Sequence, residues 1–234
     1  MIDVVDKIIL PISDISTLTI ETDCPAKELT PYCDINIVLQ DKGKQYVLYG
    51  NDCIAGTIWG LASFFEAVLN NVLELDQSIN QDIGYLWNEI VQYEYDESFP
   101  TSELKRYEFI RRYKLWDAWY KNGQELITWI FTQNNKIMLE VTPLYVWQSS
   151  DENNYKNDKD YLTYDEFIKS YKPELIIELP REIVQQWVIK FKELVTLIQE
   201  NHEKKMKEIE EAKKVENKVK NAKGSKKINK KRVS

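Results

Sequence analysis

The sequence predicts an α+β fold, with an antiparallel sheet of about five strands packed with helices. A long C-terminal helix and a disordered basic tail follow. Three observations predict it. The segment "DINIVLQDKGKQYVLYG" (34–50) alternates like a β-hairpin. Residues 107–145 carry two further reversals and read as a three-stranded meander. Between and beyond these blocks, apolar residues recur at helical spacing.

In the hairpin, Ile35, Ile37 and Leu39 alternate with polar neighbours, the chain turns at Asp41-Lys42-Gly43, and Tyr46 and Leu48 resume the pattern. Asn51 or Asp52 supplies a helix cap. Ile54, Ile58, Leu61, Phe65, Leu69 and Val72 then mark an amphipathic helix over 52–72, wide enough in its apolar face to cover the sheet. Of the next thirty or so residues, "DQSINQD" reads as loop, "YLWNEIVQYEY" fits helix or strand, and "DESFPTSE" reads as a connection.

The meander turns at Asn122-Gly123 and at Gln133-Asn134-Asn135. Its middle strand points Ile127, Trp129 and Phe131 one way and Leu126 and Ile130 the other, so it is central and covered on both faces. Trp129 and Phe131 therefore belong to the core. Trp116 and Trp119 fall on opposite faces of the preceding strand, beside Asp117 and Lys121. One of the two faces outward and is a candidate partner contact, since tryptophan is enriched at binding hot spots.

Thr163-Tyr164-Asp165-Glu166 is a capping box that opens a short helix, and Pro173 closes that segment. "ELIIEL" (174–179) reads as a short strand. Pro180 and Glu182 start the last helix, whose stripe of Ile183, Trp187, Phe191, Leu194 and Ile198 packs on the body away from the 52–72 helix. Farther on, only Met206, Ile209, Val215 and Val219 interrupt the charges. The helix therefore projects into solvent, His202 is a surface residue, and "NAKGSKKINKKRVS" is a disordered tail.

Charge divides the chain into two parts. Residues 1–202 form an acidic globular domain with 18 Lys/Arg against 33 Asp/Glu, a net of −15. Residues 203–234 form a basic extension with 13 against 5, a net of +8. Such asymmetry points to charged partners. With seven glycines and no GxxxxGK[ST] or GxGxxG, no phosphate-cradling loop and no cofactor are expected. Cys24, Cys33 and Cys53 are odd in number and not closely spaced, so a disulfide framework is not expected either. Without CxxC, and with a single histidine, no zinc site is expected. "MIDVVDKIIL" has no leader pattern and no apolar run spans a membrane, which predicts a cytoplasmic chain with no membrane partner.

Carboxylates are the remaining candidates for chemistry. Asp96 with Glu103-Leu104-Lys105 has the composition of a metal-dependent nuclease site, but there the E-x-K lies on a core strand, and here it precedes one. Glu140, near Tyr145 and Trp147, suggests a carbohydrate cleft but reads as an outward-facing acid without its second carboxylate. Asp151, Glu152, Asp158 and Asp160 crowd one loop without calcium-loop spacing and suit a basic protein partner. In the tail, Lys226, Lys227, Lys230, Lys231 and Arg232 are candidate phosphate contacts, with no aromatic residue interleaved for base stacking.

Trp129, Glu140-Val141-Thr142-Pro143 with Tyr145, Phe167, Tyr171-Lys172-Pro173 and Gln186-Trp187 form a pattern over 128–187. It resembles one found in uncharacterised bacterial proteins, some of them immunity proteins of polymorphic toxin systems. The resemblance implies a non-catalytic protein that binds and occludes a toxin. The acidic domain agrees, because complementary potential speeds association with a basic partner. Two alternatives are a nucleic-acid-associated protein acting through its tail, and a metal-dependent hydrolase using Asp96, Glu103 and Glu140.

Overall fold

The computed structural model describes residues 3–76, 79, 82–91, 101–118, 125–146 and 161–230. Eight strands form two antiparallel sheets of four, rather than the single sheet of about five that the sequence predicts. Sheet A takes β1 (Asp6–Pro11), β2 (Ser16–Thr22), β3 (Asp34–Asp41) and β4 (Lys44–Cys53) in that order. Its register puts Ile8 opposite Ile20, Ile20 opposite Ile37 and Leu18 opposite Leu39, so one apolar face is continuous. The predicted β3–β4 hairpin closes through Lys42 (φ 48°) and Gly43 (φ 81°), the left-handed pair that matches strand twist.

Sheet B takes β5 (Lys114–Ala118), β6 (Glu125–Gln133), β7 (Lys136–Leu144) and β8 (Leu175–Leu179). The predicted reversal is made by Asn134 (φ 49°) and Asn135 (φ 65°), residues that tolerate this conformation. Asn122-Gly123 lies outside the described residues. Hairpin and meander thus belong to different sheets, which approach each other where β4 meets β5.

Among the described residues, five α-helices complete the fold: α1 (Ile54–Leu69), α2 (Ile83–Val91), α3 (Thr101–Arg111), α4 (Tyr164–Ser170) and α5 (Arg181–Lys230). α1 runs along α5, with the Phe65 ring stacked on Phe191 at 5.5 Å and edge-on to Trp187 at 5.3 Å. This corrects the expectation that the last helix packs elsewhere, because the two widest apolar stripes cover each other. α1 also reaches sheet B, where Thr132 Oγ1 donates to the Val68 carbonyl at 3.0 Å. α3 replaces the predicted connection and strand start, and "ELKRYEFIRR" is dense in good helix formers. The α4 capping box is present as predicted, with Thr163 and Glu166 bonding each other's backbone N–H.

α5 continues to Lys230 through the segment read as disordered; alanine and lysine favour helix, and Gly224 costs only about 1 kcal/mol. From Glu203 to Lys214 every residue of it is exposed. Cys24 and Cys33 form a disulfide, with Cα atoms 6.4 Å apart. The sequence reading missed it because antiparallel β2 and β3, not proximity along the chain, bring the two cysteines together. Among the described residues, no helix is long and apolar enough to cross a membrane.

Candidate functional site

One face of sheet B carries Ile127, Trp129 and Phe131 from β6 and Met138, Glu140 and Thr142 from β7, since cross-strand partners share a face. α2 lies over this face. Asp82 caps the helix, accepting the Tyr85 N–H at 2.8 Å. Gly84 follows, and a Cβ there would overlap Thr142 Oγ1 and the Tyr171 hydroxyl, so only glycine allows the helix this close.

Several polar side chains are sealed beneath α2. The Trp129 indole N–H donates to Thr142 Oγ1 at 2.8 Å, and both residues are fully buried. Asn88 donates to the carbonyls of Gly84 (2.8 Å) and Pro143 (3.0 Å) and accepts the Tyr145 N–H at 2.7 Å. The Tyr171 hydroxyl donates to Asp82 Oδ1. Asp82 is also a close acidic neighbour of Glu140.

Glu140 is 5% exposed, which corrects its reading as an outward-facing acid. Burial, and then the neighbouring Asp82, push its carboxyl up to about 9. At neutral pH the Glu140 carboxyl is therefore protonated. Its Oε1 has no hydrogen-bond partner. Burial first, and then the same Asp82, also raise Tyr171 well above the usual phenol range.

Glu140 is sealed under α2, whereas a glycosidase carboxyl must face a cleft that admits the sugar. The physical effect of the Asp82, Glu140 and Tyr171 cluster is to fix α2 and the Tyr171 segment onto sheet B. Most residues of the 128–187 sequence pattern converge here. Trp129, Glu140, Thr142, Pro143 and Tyr171 surround α2, and Phe167 bridges Tyr145 (5.4 Å) and Tyr171 (6.0 Å). Trp187 is apart, against Phe65 on α1.

A second feature faces solvent. Where the two sheets meet, a groove of about 430 Å³ is lined by Tyr49, Phe64, Lys114, Trp116 and Asp117, among others. Asp117 Oδ2 accepts Lys114 Nζ at 2.7 Å, while Oδ1 is buried without a partner. The ammonium of Lys114 also sits 5.0 Å over the Trp87 ring. Trp116 is 5% exposed and joins the core. It is therefore a wall of the groove and not a projecting contact, because its strand is covered on that side.

Trp119, Asp151, Glu152, Asp158, Asp160 and Asp96 lie outside the described residues, as do Lys231 and Arg232. Glu103 stands in the first turn of α3, a helix, where the nuclease reading requires a core strand. Lys226, Lys227 and Lys230 lie on the far end of α5. Among the described residues, the one His/Cys/Asp/Glu grouping with metal-ligand spacing is Asp23, Cys24 and Cys33, whose two sulfurs are bonded to each other. The chain matches no protein-family model and no curated protein.

Proposed function

We propose that this chain is a non-catalytic bacterial binding protein of the immunity type, acting in the cytoplasm and neutralising a basic toxin domain by stoichiometric association. The observation that carries the reading is the charge division, −15 over residues 1–202 against +8 beyond. An acidic body gains encounter rate and partner discrimination against a basic enzyme. Two structural facts support it. The best-placed acid, Glu140, is sealed under α2 as part of the packing. The junction groove, by contrast, presents the half-buried aromatic rings of Tyr49 and Phe64 to the surface.

The test is co-expression with the product of the adjacent gene, followed by binding kinetics at two salt concentrations. A complex whose association rate falls steeply with salt supports the reading, since exposed charges are screened over about 8 Å at physiological ionic strength. Charge reversal at Asp151, Glu152, Asp158 and Asp160 should slow encounter without unfolding the chain. Absence of a complex, or a rate indifferent to salt, overturns it.

A second reading has one specific observation behind it: α5 runs on through the exposed stretch 203–214 and includes Lys226, Lys227 and Lys230 in its last turns. Non-specific contact with nucleic-acid phosphates would use this end. Duplex retention that weakens with rising salt and disappears on removing 204–234 supports it.

A further inference from the structure

We propose that Cys24 and Cys33 form a reversible redox clasp that sets how firmly the body holds α5 at the point where the helix leaves it. The loop from Asp23 to Cys33 joins β2 to β3 and contains a single 3₁₀ turn at Ala26–Glu28. The disulfide closes this loop. Inside it Leu29 is fully buried in the core, and its neighbours face α5. Asn201 Nδ2 donates to the carbonyls of Leu29 (2.9 Å) and Lys27 (3.1 Å). Tyr32 meets His202 edge-on, ring centroids 5.6 Å apart. The fully exposed run of α5 begins at the next residue, Glu203. The loop is therefore the last grip of the body on the helix, and the disulfide determines the conformational freedom of that grip.

The pair is built for exchange in one direction. Cys24 is partly exposed, while Cys33 is buried. The Cys33 sulfur accepts the Thr30 N–H at 3.3 Å and lies 3.6 Å from the Thr30 hydroxyl. These donors stabilise negative charge on Cys33, which makes it the better leaving group. Reduction by a dithiol proceeds by attack of its thiolate on Cys24 Sγ. The Cys24–Cys33 bond breaks and Cys33 departs as a thiolate that takes a proton from water. The second thiol of the reductant then attacks the mixed disulfide, releasing Cys24 as a thiol and leaving the reductant oxidised. Two electrons and two protons are transferred in all. Glutathione disulfide, or another low-molecular-weight disulfide, reverses the sequence. A reversible pair of this kind is also the form in which disulfides occur in a reducing cytoplasm.

The consequence is mechanical. With the loop opened, the carbonyls of Lys27 and Leu29 lose their fixed spacing, and the Asn201 hydrogen bonds fray. The exposed stretch 203–214 then has little packing beside it to oppose unwinding of the helix.

The test is amide hydrogen exchange on the full chain in a Cys53→Ser background, oxidised with glutathione disulfide and then reduced with a dithiol. Reduction should speed exchange at least tenfold in 23–33 and in 199–206, with β3 amides (35–40) unchanged. In the oxidised protein, Asn201→Ala should speed 199–206 alone. Faster exchange confined to 23–33 on reduction would show that the loop does not grip the helix, and would overturn the proposal. So would quantitative alkylation of both cysteines in the folded, oxidant-treated protein, because no bond would then have formed. Neither result depends on whether a toxin partner is found.

Discussion

The two sheets have the same strand number and the same antiparallel pairing, yet they are held in different ways. Sheet A presents Leu18, Ile20, Ile37, Leu39 and Leu48 inward, each essentially without exposure. Most of its buried polar groups sit at strand ends, where Ser16 bonds Asp41 and Thr22 bonds the Cys24 carbonyl at 2.6 Å. Sheet B buries Glu140, Thr142 and the Trp129 indole mid-strand, and these reach out to α2 and Tyr171 for partners. Apolar contacts tolerate small displacements. Buried hydrogen bonds do not, because an orphaned polar group costs about 1–3 kcal/mol. Sheet A therefore specifies a face, whereas sheet B specifies the position of a particular helix.

The largest effect expected is at Trp129. Trp129→Ala should cost about 3–5 kcal/mol in urea denaturation, through lost volume and an orphaned Thr142 hydroxyl. Trp129→Phe keeps most of the volume and should cost clearly less. If Trp129→Ala costs no more than an exposed substitution, the indole is not the centre of sheet B.

Glycine gives an internal control between α2 and α1. Gly84→Ala forces a Cβ onto Thr142 and Tyr171 and should destabilise by about 1–3 kcal/mol. Gly60→Ala on α1 meets nothing within 4 Å and should stabilise by about 0.4–1 kcal/mol. Equal signs for the two substitutions would contradict the close approach of α2.

Glu140 makes sheet B the pH-sensitive half. Its folded value, about 9, lies above the ordinary 4.5, so between these limits the folded chain holds a proton that the unfolded chain has released. Its contribution is thus fully present below pH 4.5, is lost as pH rises toward 9, and changes no further above that. The slope is at most about 1.4 kcal/mol per pH unit. Glu140→Gln should flatten the stability profile over this window while leaving the melting temperature at pH 4 nearly unchanged. A variant profile that falls as steeply as the parent's would show that Glu140 carries no such proton.

The smallest effect belongs to the extension, which has neither kind of core. Removing residues 204–234 should move the melting temperature by no more than a few degrees, since 203–214 touch no buried surface. A loss of about 10 °C or more would mean that the end of α5 packs on the body.

Local chemistry in the sequence accounts for much of the fold. The Lys42-Gly43 and Asn134-Asn135 turns, the Thr163 capping box and the stripe on α5 all act between residues close along the chain, and each appears where the sequence places it. Leu18 and Ile20 alternating with threonines carry the same signal for β2. The charge division is likewise a property of the sequence alone. Distant contacts decided the rest. Hairpin and meander could have shared one sheet by pattern; only the packing of α1 against α5 and of α2 against sheet B separates them. Glu140 has the sequence context of a surface acid, and it is buried because α2, far away in sequence, covers its strand. Cys24 and Cys33 look unrelated until β2 and β3 pair. Periodicity reports which face of an element is apolar. Only the folded chain determines what covers that face, and hence which polar groups are sealed inside and must find partners there.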